Sequence, residues 1–471
     1  MAPEPRIEWR STERAIVLDT RGDPPRVLLV PSQDGRTWTL PSWTAVEPRE
    51  RDPDVGRIAV QARDVLGFDV VLLQYVEPTE DEAARERSGT WIMEPRGVER
   101  PAATSAGARW VTAADLDMLP AANGDALRLA RQRLAELTSD QSPLGRCAWC
   151  APRWLAEAEA WIARQLDAIG RPATGPTVQF RSNSISSVLR APTARGDVYF
   201  KAASHHFRTE ARITTGLATR FGEHLPTLLA VNVERSWLLM EDFGPRLRES
   251  GQEVWETALR LMGELQRRCI GETDWLLSIG AADRRLAILR EQIPALLDAP
   301  ETRREVAPEL HARLVARIPR FQEACDALAA CGVPETLIHG DLHGGNVAAT
   351  RGRVTLFDWT DAAVAHPFLD LVTFLPSERR TPVAAEGRPL EFAQRLRDAY
   401  LEGWTAYATP GQLRRALTLL NTVQQLHHAQ SYLQILRSLE PADYWQWEGE
   451  LAQWLTPLAK NRVPGEPAYT A

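Results

Sequence analysis

The sequence predicts an α+β chain of two modules, the second mainly helical towards its end. Three observations carry this. Short apolar runs bounded by turn residues fill the first third of the chain and recur between 178 and 201. From about 245 onward the apolar residues fall at helical spacing instead. Within the helical part, two strand-like runs, Thr336-Leu337-Ile338 and Val354 to Phe357, each lead into acidic residues.

Composition sets limits. A chain of 471 residues is long enough for two or three domains. Its 44% hydrophobic and 25% charged residues are those of an ordinary soluble globular protein. The net charge is −7 with no basic stripe, so no nucleic-acid partner is expected. No uninterrupted apolar run approaches the roughly 20 residues of a membrane span, and MAPEPRIEWRSTER lacks the apolar core of a signal peptide. The expectation is a cytoplasmic protein with no membrane partner and with its oligomeric state left open. Five cysteines make an odd number and no disulfide framework. Cys147-Ala-Trp-Cys150 is a lone C-x-x-C, and zinc wants two more ligands. Two reduced thiols at a helix start are preferred over metal or redox use.

Residues 1–138 read as one α+β unit. Ala15–Leu18 and Val27–Val30 flank the turn-rich Asp19–Pro24, which predicts a hairpin. Trp38–Pro41 and Val46–Glu50 follow. A helix is expected over Val55–Leu66, stopped by Gly67, then strands at Val70–Val76 and Thr90–Glu94 and a closing helix around Gly124–Leu137. With "WTLP", "VEPRE", a helix ending in "ARDVLGFDV", and "RWVTAADL", this order resembles a Nudix domain over most of residues 12–120. The resemblance implies an α/β/α fold and a box, G-x5-E-x7-R-E-U-x-E-E-x-G-U, whose helix glutamates hold magnesium. Aligned on Gly67, Val60 and Gln61 replace Arg-Glu, Asp64 and Val65 replace Glu-Glu, and Glu50 lies about two residues too far away. One helix carboxylate does not build a hard-cation site. A degenerate Nudix-like domain without pyrophosphohydrolase activity is expected, serving in sensing, docking, dimerisation or as a structural appendage.

A mostly polar linker is expected at 139–152, then a helix from Pro152 to Ile169 with an apolar face of Trp154, Leu155, Ala158, Trp161, Ile162 and Leu166. Val178–Phe180 and Val188–Arg190 read as strands around the serine-rich loop Arg181–Ser187. Val198–Lys201 is a third strand, and Glu210 sits on the helix that follows. His205 and His206 read as solvated or capping. Ser236–Gly244 is a strand running into a hinge. Val254–Arg268, Arg284–Leu297, Leu310–Leu328 and most of 388–459 are helical, with His427-His428 taken as packing and 460–471 as a polar tail.

The chemistry lies in His339-Gly340-Asp341-Leu342-His343-Gly344-Gly345-Asn346 and in Asp358. The pattern Asp-x4-Asn-x11-Asp places polar residues on a loop after one strand and at the end of another. Phosphoryl transfer from a nucleotide needs such a set: a carboxylate to accept the proton of the attacking hydroxyl, and an amide oxygen with a second carboxylate to hold magnesium. The bland alternative is a loop using Asp and Asn for turn hydrogen bonds; a pseudokinase is another.

These segments resemble the catalytic loop and metal segment of the aminoglycoside phosphotransferase and choline kinase group, the small-molecule branch of the protein-kinase-like fold. Protein kinases carry H-R-D-x-x-x-x-N and D-F-G there; Gly340 replaces the Arg, and Asp358-Trp359 stands for D-F. The resemblance implies a bilobal domain over 153–471, with an N-lobe to about 243 and a mainly helical C-lobe from 244. It implies ATP and Mg2+ as cofactors. Asp341 would be the catalytic base, with Asn346 and Asp358 the magnesium ligands. Lys201 would hold the α/β-phosphates, oriented by Glu210, under a loop carrying Ser182, Ser184 and Ser186. Glu241 and Phe243 would meet the adenine edge through the backbone. His339 would brace the catalytic loop, Asp370 would orient it through backbone N–H groups, and His366 would be structural. Asp361 would face the acceptor or be a solvated acid. The implied activity is transfer of the γ-phosphoryl group to a hydroxyl of a small molecule, an aminoglycoside, amino sugar, choline-like alcohol or related metabolite. A non-catalytic nucleotide-binding regulator, and a Nudix-type hydrolase with an appended kinase-like domain, are the alternatives.

Overall fold

A computed structural model describes residues 8–48, 54–97, 107–120, 124–139, 142–247, 250–350, 352–375 and 388–460. Glu50 and the 461–471 tail lie outside them. The chain divides into two compact units, 1–205 with 439–446, and 206–438 with 447–471. No helix among the described residues is long and apolar enough to cross a membrane.

The first unit is built on a sheet with the strand order β3-β2-β1-β6-β5. These are β1 (Glu8–Asp19), β2 (Arg26–Pro31), β3 (Trp38–Thr39), β4 (Ser42–Pro48), β5 (Val70–Asp81), β6 (Glu86–Pro95) and β7 (Arg109–Val111). β4 joins β1, and β7 joins β2. The expected hairpin is present, with Leu18 opposite Val27. β1 begins well before its apolar run, because its first half pairs antiparallel with β4 and parallel with β6. Ser11 and Glu13 in that half are buried. Glu13 accepts from the Trp91 indole at 3.1 Å and faces Arg87 at 3.5 Å, and Arg87 reaches Glu47 at 3.2 Å. A buried charge is tolerated only when paired in this way.

Helix α1 (Val55–Leu66) has the expected bounds. Asp54 accepts from the Arg57 N–H at its start, and Gly67 closes it with φ +79°. Val55, Ile58, Ala62 and Leu66, four positions of one apolar stripe, pack onto the sheet. Helices α2 (Ala113–Met118) and α3 (Gly124–Ser139) follow.

The stretch expected as a linker is anchored. Cys147 and Trp149 are buried, and Arg146 reaches Glu136 at 2.7 Å and Glu440 at 3.0 Å. Helix α4 (Trp154–Ala168) sets Trp154 and Trp161 against Phe200. Phe200 lies on β10 (Gly196–Ala203), which pairs antiparallel with β9 (Ser186–Thr193), itself paired with β8 (Val178–Ser182).

The second unit is mainly helical. It opens with α5 (Glu210–Phe221), the pair β11 (Leu228–Asn232) and β12 (Trp237–Glu241), and α6 (Gln252–Arg268). Three short strands, β13 (Ala282–Asp283), β14 (Thr336–Ile338) and β17 (Ala363–Ala365), form one sheet in the order β13-β17-β14. β15 (Val347–Thr350) and β16 (Arg353–Leu356) form a hairpin. The core around them includes Trp255, Leu337, Trp359, Phe368, Tyr400 and Trp404. The longest helix, Pro410–Ser438, buries His427 and His428, and His428 stacks on Trp454.

Candidate functional site

The loop 339–346 leaves β14 and returns into β15, and Asp358 follows β16. Two short ladders thus fix both ends of the polar segment. Asp370, on the buried helix Phe368–Phe374, ties down the loop's start. Its carboxyl accepts from the His339 N–H at 2.8 Å, the Gly340 N–H at 2.9 Å and the Gln266 amide at 3.0 Å. Burial pushes the Asp370 carboxyl up to about 7, and these three donors pull the other way. The His339 ring is fully buried and meets the Phe357 carbonyl through Nε2 at 2.9 Å. Burial depresses its basicity, so it stands as a neutral brace between loop and β16.

Gly340 explains the missing arginine. Its φ is +85°, and a Cβ there would lie 2.2 Å from the Asp361 carbonyl oxygen. The loop therefore lies directly against the segment that follows Asp358, and only glycine fits.

Asp341 sits beside Asn346, whose Nδ2 donates to its carbonyl at 3.0 Å and to its Oδ2 at 3.1 Å. That orientation leaves the Asn346 Oδ1 as the amide's acceptor end. His343 Nε2 lies 3.5 Å from Asp341 Oδ2, and its Nδ1 accepts from the Gly345 N–H at 2.9 Å. Burial raises the Asp341 carboxyl, but the His343 contact and charge outweigh it and hold the group below its ordinary value. Asp358 takes a left-handed backbone, φ +67°, which turns it out of β16, and accepts from the Thr360 hydroxyl at 3.0 Å. The same hydroxyl lies 3.2 Å from Asp361. Asp361 itself is half-buried. Burial, and then the charges of Asp341 and Asp358, push it up to about 6, against the pull of Arg284. Arg284 is held by Ser431 and, at 3.1 Å, by Gln434 on the long C-terminal helix.

The segment after β12 lies along β15. Phe243 stacks on Phe357 at 4.4 Å, its carbonyl accepts from the Thr350 hydroxyl at 3.2 Å, and Arg246 covers Phe357 and binds the Gly345 carbonyl. The Glu241 N–H donates to Thr227 at 3.0 Å.

Of the residues singled out in the sequence, the second unit thus brings together Asp341, Asn346, Asp358, Asp361, His339 and Asp370. Glu241 ends β12, Phe243 lies on the segment after it that abuts this group's hairpin, and Glu210 is buried at the start of α5. Lys201, buried on β10, and the serine loop belong to the first unit. That loop is held from behind. The Cys147 thiol donates to the Ser184 carbonyl at 3.0 Å, the Trp149 indole to the Asn183 carbonyl at 3.0 Å, and the Ser184 N–H to Gln446 at 3.0 Å. Ser184 and Ser186 are buried, at 2% and 7% exposure, while Ser182 is half-buried. Burial raises both the Cys147 and Cys150 thiols. Among the described residues no group of three or more His, Cys, Asp and Glu is arranged to hold a metal.

Sequence reasoning passed over His343, Arg246 and Arg284. The signal for His343 was its place two residues after Asp341, within the motif itself. Nothing local marks the two arginines, whose partners are distant in sequence.

Residues 222–414 match the model of a family described as the Phosphotransferase enzyme family, a span that contains Asp341, Asn346 and Asp358 and leaves out Lys201. No curated protein matches the chain. Among solved structures, the chain is similar to a macrolide 2'-phosphotransferase from Brachybacterium faecium, at 19% identity over 64% of this chain and 98% of that one, with a TM-score of 0.41. It is similar to a choline/ethanolamine kinase family protein from Mesorhizobium loti, at 17% identity over 67% and 98%, TM-score 0.43. It is also similar to the GDP complex of an aminoglycoside 2'-phosphotransferase-IIIa, at 15% identity over 66% and 99%, TM-score 0.45.

Proposed function

We propose that the chain is a small-molecule kinase that moves the γ-phosphoryl group of ATP onto a hydroxyl of an amine-bearing alcohol, sugar or antibiotic. The observation that carries this reading is the Asp341–Asn346–Asp358 group on a loop pinned by Asp370, inside the segment that matches the phosphotransferase family model.

Asp341 is an anion at neutral pH, because His343 holds its carboxyl low. It accepts the acceptor's O–H and so aims the oxygen. As that oxygen bonds to the γ-phosphorus, the bond to the bridging oxygen breaks, ADP leaves, and the hydroxyl proton passes to Asp341. Asn346 Oδ1 and the Asp358 carboxylate are oxygen donors of the kind magnesium takes, which it typically supplements with phosphate oxygens and water. Asp341 and Asp358 also crowd negative charge onto Asp361, which Arg284 offsets in part. Magnesium, when bound, neutralises the developing charge on the phosphate oxygens. Much of the rate is then positioning: His339 and Asp370 fix the loop, and Arg246 clamps Gly345. The adenine edge is assigned to the backbone at Glu241 and Phe243, with the Phe243 ring braced on Phe357. The roles of Lys201, Glu210, Ser182, Ser184 and Ser186 towards the phosphates rest on the resemblance alone.

A screen of ADP release over hydroxyl-bearing amines, sugars and antibiotics tests the reading. Acceptor-dependent release is expected, with phosphate on a hydroxyl of the product. Binding of ATP without turnover on any acceptor would favour the regulator instead.

We infer further that the first module is Nudix-like without hydrolase activity. Gln61, at a metal-glutamate position of the resemblance, is engaged by the Trp43 indole at 3.0 Å, and Asp64 is exposed on the helix. Nucleotide-pyrophosphate hydrolysis that disappears in Asp64→Asn would overturn this inference.

A further inference from the structure

Cys147 and Cys150 are both free thiols, and the fold sets them for a reaction with each other. They bracket one tight turn. The Cys150 N–H donates to the Cys147 carbonyl at 3.0 Å, across the short helical turn Ala148–Cys150. Residues three apart over such a turn have Cα atoms within about 7 Å, and a disulfide spans about 4.4–6.8 Å.

The two sulfurs differ in access. Cys147 is 5% exposed, and its thiol donates to the Ser184 carbonyl at 3.0 Å. Cys150 is half-buried and lines a cavity of about 150 Å³ with Arg133, Glu136, Arg146 and, at an exposed rim, Ser142. A water needs only about 10–15 Å³ of such volume, so a peroxide has room to reach this sulfur. Burial, and then Asp443 and Glu440, raises the Cys147 thiol; burial, and then Cys147, raises Cys150. Low thiolate content makes the pair slow to react. It also leaves the reduced form without the thiolate stabilisation that makes a disulfide strongly oxidising, so a disulfide here resists reduction once formed.

We propose that Cys147 and Cys150 are a modification site, which a peroxide closes into a reversible disulfide that releases the 183–186 turn. The Cys150 sulfur attacks one peroxide oxygen, the O–O bond breaks, and water leaves behind a sulfenic acid. The Cys147 sulfur then attacks the Cys150 sulfur, the S–O bond breaks, and a second water carries away the remaining thiol proton. Two thiols lose two electrons and the peroxide gains them; a dithiol returns them. The bridge has no S–H, so the Ser184 carbonyl loses its donor. Trp149, whose indole holds the Asn183 carbonyl at 3.0 Å, stands between the two cysteines, so closure shifts that tie as well. The site does not depend on the phosphotransfer reading, and either one can fail alone.

The test treats the folded full chain with hydrogen peroxide, traps remaining thiols with N-ethylmaleimide after unfolding, and maps peptides by mass spectrometry. The Cys147–Cys150 peptide should be lighter by two hydrogens and carry no maleimide, dithiothreitol should restore both thiols, and Cys269, Cys325 and Cys331 should stay alkylated. Amide hydrogen exchange at 183–186 should quicken several-fold in the oxidised protein and return on reduction. Cys150→Ser keeps the Cys147 thiol on Ser184, and its exchange should not respond to peroxide. The proposal is overturned if both cysteines remain alkylated, if either pairs elsewhere or goes on to sulfonic acid, if the bridge forms with exchange unchanged, or if Cys150→Ser responds as the wild type does. Oxidised and reduced wild type decide the matter by themselves should the variant fail to fold.

Discussion

Replacing Gly340 by Ala tests whether the 339–346 loop is built against the segment after Asp358. Two costs are separable. At φ +85° an alanine pays the left-handed strain of about 1–2 kcal/mol. Its Cβ would also lie 2.2 Å from the Asp361 carbonyl oxygen and 2.8 Å from the carbonyl carbon. That carbonyl has little freedom to retreat. Two residues on, Ala363 pairs with Ile338 of β14, and the neighbouring Ala362 carbonyl accepts from Ala282 at 2.9 Å. Forced repacking of this kind costs about 1–3 kcal/mol, so the total is about 2–5 kcal/mol. Gly352 supplies the control. It has the same φ of +85° with nothing within 4 Å of the added carbon, so Gly352→Ala carries the strain alone. Urea denaturation of the full chain, followed by tryptophan fluorescence, should show Gly340→Ala destabilised by clearly more than Gly352→Ala. Phosphotransfer should fall with it, since Asp341 is the next residue and a displacement of about 1 Å can cost about a hundredfold. Equal destabilisation of the two variants would refute the close approach.

Other substitutions test neighbouring parts of the account. Asp370→Asn turns an amide NH2 towards one of three N–H donors, and should cost roughly 1–3 kcal/mol in denaturation together with activity; an unchanged midpoint would count against the anchoring role. Asp361 has a folded-state value raised to about 6, so its favourable contribution is complete below its ordinary 3.8 and is lost as pH rises through about 6. Asp361→Asn should therefore gain stability on the wild type between about pH 4 and 7.5, and a pH-independent gap would show that the crowding of carboxylates is wrong. His343 lowers the Asp341 carboxyl, so His343→Phe should move the acid limb of the kcat/KM profile to higher pH; an unmoved limb would remove His343 from the site's electrostatics.

What the sequence made legible was local. Helix α1 carries its own start and stop in Asp54 and Gly67, and its apolar stripe needs no partner to be recognised. The 339–346 loop was readable because its roles are compressed into one segment, between strands short enough to stand out as apolar runs. What escaped depends on residues far apart. Glu13, Glu47 and Arg87 look exposed until three strands bring them together. The 139–152 stretch looks like a free linker because Glu440, which holds Arg146, comes 294 residues later. The serine loop reads as open and adaptable, yet Cys147, Trp149 and Gln446 fasten its backbone from three directions. Arg284 gains its place only when the C-terminal helix presents Ser431 and Gln434. The glycine at 340 is the converse case: the residue was visible as a departure from the kinase motif, but its reason was a carbonyl on another segment.

The most direct test of the central claim is the rate of acceptor phosphorylation in wild type and Asp341→Asn, measured beside nucleotide affinity on the same preparations. On the proposed reading the carboxylate faces the acceptor and takes its proton, so the variant should lose about 10²–10⁴-fold in kcat. Its affinity for ATP with magnesium should change by no more than about twofold, because Asn346 and Asp358 are untouched. Equal rates for the two proteins would contradict the account.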